Sequence, residues 1–135
     1  MVRKLLELGA PLAVLAFMAL PLKAQPVEAT ANWKVVAVDS EEGETEHIDT
    51  TSIERDGGIV TFWQKTEFSR DPQGWKTSYL KLEFDCPARK LRMMDLVVVY
   101  TDGTKSDEEG SIDKWFPIPA DSLAAKIYPH VCPAK

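Results

Sequence analysis

The sequence predicts an α+β domain: a single antiparallel β-sheet of about six strands, with a C-terminal helix packed on one face and tied to it by a disulfide. Three observations predict it. Segments with period-two alternation, or rich in β-branched and aromatic residues, follow one another between tight-turn signals. One short segment near the end has helical spacing between a capping residue and a proline. Two cysteines, Cys86 and Cys132, stand in a chain that begins like an exported one.

The elements follow in order. Trp33 to Val38 reads as the first strand, and Asp39 to Gly43 as a turn. Glu44 to Asp49 is a second, weaker strand. Thr50 to Arg55 is expected to be an irregular connection, in which Thr50, Thr51 and Ser52 satisfy local backbone donors. Asp56-Gly57-Gly58 marks a tight turn. Ile59 to Phe68 is the third strand, rich in branched and aromatic residues. A hairpin loop, Ser69 to Gly74, leads to the fourth, Trp75 to Asp85. There Leu80, Leu82, Phe84 and the following Cys86 alternate with Tyr79, Lys81, Glu83 and Asp85, so Cys86 points toward the core. The fifth strand, Leu91 to Tyr100, is apolar on both faces at its end, which predicts a central place in the sheet. Asp102-Gly103 turns the chain, Thr104 to Gly110 is a polar, acidic loop, and Ser111 to Ile118 holds a short last strand. Asp121 or Ser122 caps a helix that presents Leu123, Ala124, Ile127 and Tyr128 on one side. Pro129 disfavours helical geometry at the preceding residue, so the helix is expected to end at Tyr128, with Cys132 in a turn beyond it.

The first residues have the layout of a secretory signal: Arg3 and Lys4, then an uncharged run from Leu8 to Leu22, then Ala24 at a small-residue cut. The run is shorter than the ~20 apolar residues of a membrane-spanning helix and contains Pro11 and Pro21. The expected division is a signal over 1–24, a polar lead-in over 25–32 and one domain over 33–135, with no integral membrane segment after cleavage; cuts after Ala29 or Ala31 are the alternatives. Two cysteines in an exported chain, with no C-x-x-C and too few ligands for a metal site, read as a structural Cys86–Cys132 bridge. By the chain-entropy relation such a bridge contributes about 4 kcal/mol.

Composition narrows the function. The chain carries a net charge of −5, and removal of a basic leader leaves the rest more acidic still. That excludes nucleic acid as the expected partner, which calls for a basic footprint. No nucleophile elbow, zinc-binding histidine pair or phosphate loop is present, and no cofactor or metal is expected. His47 and His130 read as exposed surface, and Asp107-Glu108-Glu109 as a solvated loop lacking calcium-ligand spacing.

Two sets of residues are candidates for contact with a partner. Arg89, Lys90 and Arg92 form a basic cluster after Cys86-Pro87, which reads either as an adhesive patch or as the charged start of a strand. Trp63 and Lys65 on the third strand, with Tyr79 and Lys81 on the fourth, form an aromatic and basic surface if the hairpin register aligns them. Trp63 also has a second reading, as core, because Val60 and Phe62 make that strand apolar on both faces.

The order of features resembles the surface-adhesin protein E family of exported bacterial proteins. The resemblance is carried by Trp33, Ile48-Asp49, Ser52-Ile53 and Gly57-Gly58, then Phe84-Asp85-Cys86 and Tyr100-Thr101-Asp102-Gly103, then Trp115, Ile118-Pro119, Ser122 and Val131-Cys132. It implies a small antiparallel sheet with a helix tied on by the disulfide, and, by fold analogy, adhesion to host matrix or plasma proteins. The expectation is therefore an exported, non-enzymatic domain, in the periplasm or on the outer cell surface, whose partner is a protein. The alternative is a periplasmic binder of a small molecule or an inhibitor of an enzyme.

Overall fold

The computed structural model describes residues 30–108 and 114–133. The expected signal, most of the lead-in, Glu109 and residues 111–113 of the expected last strand lie outside the described residues.

The architecture is the α+β arrangement that the strand patterns and the C-terminal periodicity imply. The strands are β1 (Trp33–Asp39), β2 (Glu44–Asp49), β3 (Glu54–Asp56), β4 (Ile59–Phe68), β5 (Trp75–Asp85), β6 (Lys90–Tyr100), β7 (Lys105–Glu108) and β8 (Phe116–Pro117), followed by helix α1 (Leu123–Val131). They form one antiparallel sheet in the order β1-β2-β4-β5-β6-β7, with β3 also beside β4 and β8 also beside β6.

Eight strands stand where about six were expected, and both additions are imposed by turns. Gly57, at φ 64°, lets the chain reverse after Asp56, so Asp56, Arg55 and Glu54 pair with Ile59, Val60 and Thr61. Glu-Arg-Asp has little strand preference of its own; the turn and the long partner β4 supply the order. The expected irregularity before it is a 3-10 turn over Thr50–Ser52. The buried Asp49 carboxylate accepts from the Asn32 amide (3.0 Å), the Thr51 amide (3.0 Å) and the Thr51 hydroxyl (2.6 Å), which also fastens the start of β1. In the same way the Asp102-Gly103 turn converts part of the expected acidic loop into β7. Asp102 accepts from the Thr104 amide and hydroxyl, Gly103 takes φ 89°, and Lys105 to Glu108 pair with Val99 to Leu96. These hydrogen bonds lower the Asp102 pKa below the ordinary aspartate value, led by the Thr104 hydroxyl.

Two other expectations change. β6 lies inside the sheet between β5 and the short β7 and β8, next to the edge; β4 and β5 hold the centre. The helix runs through Pro129 to Val131. Proline removes one intrahelical donor, but tertiary contacts hold the last turn in place. The Tyr128 hydroxyl donates to the Cys86 carbonyl (2.6 Å) and Arg55 Nη1 to the Val131 carbonyl, while the helix's own backbone closes with the Cys132 amide donating to the Tyr128 carbonyl (2.8 Å). Ser122 caps the other end, its hydroxyl accepting from the Ala125 amide (3.1 Å).

The core lies between α1 and one face of the sheet: Ile48, Val60, Phe62, Leu82 and Phe84 meet Ile118, Ile127, Val131 and Cys132. Phe62 and Phe84 pack edge to face, with centroids 5.1 Å apart, and Tyr128 stacks on Phe84. Cys86 and Cys132 are bonded, with Cα atoms 5.7 Å apart, as the alternation of β5 and the C-terminal pattern predicted. None of the described helices is long and apolar enough to cross a membrane.

Candidate functional site

Strand pairing settles how the aromatic and basic residues of the central hairpin meet. In the β4–β5 register Trp63 faces Lys81 and Lys65 faces Tyr79. All four therefore share the face opposite the helix, since the alternate residues Phe62, Leu82 and Phe84 fill the core. Alignment does not mean exposure, however. Trp63 is 6% exposed and Lys65 8%, while Tyr79 and Lys81 are half-buried. The indole and the lysine stem form the floor of this face, and Tyr79 and Lys81 offer more of its outer surface.

A residue from β1 completes the cluster. Trp33 pairs with Asp49, and its ring lies 5.9 Å from Tyr79 and 4.6 Å beneath Lys65 Nζ. Lys65 Nζ also approaches Glu67 Oε2 (3.6 Å), and His47 Nε2 lies 3.8 Å from Glu67 Oε1. The ammonium thus rests on an indole face and beside a carboxylate, an arrangement that fixes its position and lowers its cost of burial. Trp33 was visible in the sequence as a strand residue. Its membership of this cluster depends on the β1–β2–β4 register, which no local pattern encodes.

His47 corrects the expectation of an exposed histidine. It is 8% exposed, and its Nδ1 is buried with no hydrogen-bond partner. β2 is weak as a sequence pattern because its polar residues are buried: Glu46 lies inside as well, where its carboxylate accepts from Gln64 Nε2 (2.8 Å) and the Thr66 hydroxyl. Next to it the Glu44 carboxyl titrates above the ordinary glutamate range. Burial is the largest cause, followed by the charge of Glu46, a hydrogen bond with Glu46, and the charges of Glu42 and Asp39. His130 is half-buried rather than exposed.

The basic cluster after Cys86 divides. Arg89, in the β5–β6 turn with φ 54°, stacks its guanidinium 4.2 Å from the Tyr128 ring. Arg92 pairs with Glu83 through two of its nitrogens (3.0 and 2.6 Å) and lies 4.6 Å from the Trp115 ring. Lys90 is exposed and shares the side of Arg92, opposite the helix. The three cations are therefore not one patch. Asp107 and Glu108 fall in β7 rather than in a loop. Among the described residues no group of histidine, cysteine and acidic side chains is arranged to hold a metal ion.

A family model described as surface-adhesin protein E matches residues 33–133. Among solved structures, crystal form II of Haemophilus influenzae protein E is similar at a TM-score of 0.51 and 13% identity, over 64% of this chain and 79% of that one. A structure of protein E from non-typeable Haemophilus influenzae gives a TM-score of 0.45 and 12% identity, over 78% of this chain and 74% of that one. No curated protein sequence matches. At such identities the first structural likeness speaks for the fold alone.

Proposed function

This chain belongs to the surface-adhesin protein E family, and on that premise we propose that it is an exported, non-enzymatic domain that binds a host or extracellular protein. The observation that carries the reading is the family match, which runs from the first strand past the disulfide. The division into a cleaved signal over 1–24, a lead-in over 25–32 and a binding domain over 33–135 belongs to the same proposal.

The contact surface proposed is the sheet face opposite the helix. Tyr79 and Lys81 are its accessible members, Trp33 extends it, and Trp63 and Lys65 support it from beneath. Lys90 and Arg92 continue the same side along β6, whereas Arg89 is turned toward the helix by its contact with Tyr128. Aromatic rings with cationic neighbours are the residue types enriched in protein interfaces.

Two measurements test the proposal. Protease added to intact cells should remove the domain, which places it on the outer surface; full protection would overturn surface adhesion. Binding of the purified domain to immobilised matrix proteins should be saturable and should weaken several-fold in a Tyr79→Ser/Lys81→Ser variant that circular dichroism shows to be folded at the assay temperature. Undiminished binding by that variant would remove this face as the contact surface.

A further inference from the structure

A cleft of about 140 Å³ opens beside the disulfide, between the β3–β4 turn, the β5–β6 turn and the end of α1. Its walls are largely carbon: Ile59, Val60, Pro87, Pro133 and Cys86 line it, with Tyr128. The walls are also held in place. Cys86 is bonded to Cys132, the Tyr128 hydroxyl donates to the Cys86 carbonyl, and Arg55 donates to the carbonyl of Val131. Gly58 sits so close to Pro87 that an added Cβ would lie 2.8 Å from the proline Cδ. Such a cleft does not collapse to fill itself, because each wall is anchored by a bond independent of the space between them.

Its size and polarity define a ligand. An apolar cavity of roughly 150 Å³ accommodates a molecule of the size of benzene. Among the described residues one cation lines the cleft: Arg55, on the strand β3 that its turn creates. A guanidinium has five N–H donors, and Arg55 directs one nitrogen, Nη1, at Val131. Arg89 adds a second positive charge nearby, stacked on the Tyr128 ring. We propose that this cleft binds a small carboxylate with a compact apolar body, an aromatic or branched aliphatic acid. The apolar body would lie among Pro87, Tyr128 and Pro133, with the carboxylate toward Arg55. This site is on the helix side of the sheet and is independent of the protein-binding face.

The experiment is a titration of the disulfide-intact domain, followed by amide proton–nitrogen correlation spectra. Benzoate is the charged probe and benzyl alcohol the neutral probe of similar shape. Benzoate should shift the amides of Gly57, Gly58 and Ile59 in a saturable way, with a Kd on the order of 1 mM. Benzyl alcohol should bind about tenfold more weakly, the difference expected for a charge-assisted hydrogen bond. Arg55→Gln should abolish the preference for the anion. Pro133→Trp, at an exposed position on the rim, should block both probes. Absence of saturable shifts at these amides, saturable shifts only elsewhere, or equal affinity for the two probes in the wild-type domain would each overturn the proposal. The comparison of probes on the wild-type chain decides the matter even if Arg55→Gln loosens the end of the helix.

Discussion

Removing the Cys86–Cys132 bond should cost about as much as any single change in this domain, yet leave its helix docked. The two residues are 46 apart in sequence, and the chain-entropy relation for a loop of that length gives about 4 kcal/mol. For a domain near 100 residues, each kcal/mol moves the melting temperature by about 4–8 °C. A Cys86→Ala/Cys132→Ala variant should therefore melt roughly 15–30 °C below the oxidised wild type. The helix has other attachments. Ile127 and Val131 are almost completely buried, each contributing about 1.5–3 kcal/mol of apolar burial, and the Tyr128 and Arg55 hydrogen bonds hold its end to β5 and β3. The far-ultraviolet circular dichroism at 25 °C should accordingly remain that of the wild type while the thermal midpoint falls. Urea unfolding followed by fluorescence measures the same loss as a free energy. A loss below about 1 kcal/mol would refute the reasoning, because it would mean that the bond does not restrict the unfolded chain as the loop length requires. Loss of helical signal at 25 °C would refute the second half, that burial and these two hydrogen bonds suffice to dock α1.

Three further outcomes follow from the geometry. Trp63→Ser should destabilise by about 3 kcal/mol, the cost of deleting a buried indole, whereas Tyr79→Ser on the same face should cost less than half as much; equal losses in urea unfolding would contradict the floor-and-surface arrangement. Gly58→Ala should destabilise by about 1–3 kcal/mol, because the new methyl meets the rigid Pro87 ring at 2.8 Å; an unchanged melting temperature would show that the turn moves freely. Glu44 has a raised folded pKa, so its contribution to stability is fully present below pH 4.5, the ordinary glutamate value, and is lost as pH rises through the folded value. Glu44→Gln should therefore stabilise the domain at neutral pH by about 0.5 kcal/mol, discounted for solvent screening, and should have no such effect in acid; a destabilised variant at pH 7 would reverse the sign.

The extent to which this fold and its surfaces were legible follows from the range of the interactions involved. Alternation along β5 placed Leu82 and Phe84 in the core and aimed Cys86 toward its partner, because side-chain direction in a strand is a local property with period two. The Asp56-Gly57-Gly58 and Asp102-Gly103 turns were equally plain. What they bring together was not: β3 and β7 are polar segments, and they become strands because β4 and β6 extend past their other partners and leave pairing positions open. Pro129 was expected to end the helix at Tyr128, but the helix runs on to Val131, and the contacts that carry it past the proline come from Cys86 and Arg55, more than forty residues away.

By itself, then, the sequence determined the class of fold, the face that β5 buries and the pairing of the two cysteines, since periodicity, turn chemistry and cysteine count act without knowledge of neighbours. Tertiary structure alone decided which polar residues are buried, as with His47 and Glu46. It decided that Trp33 joins Lys65 and Tyr79, that the three cations after Cys86 part company, and that a carbon-lined cleft forms beside Arg55. Each of these depends on register and on the close approach of distant segments, and a strand's own residues specify which way it faces but not which strand lies beside it.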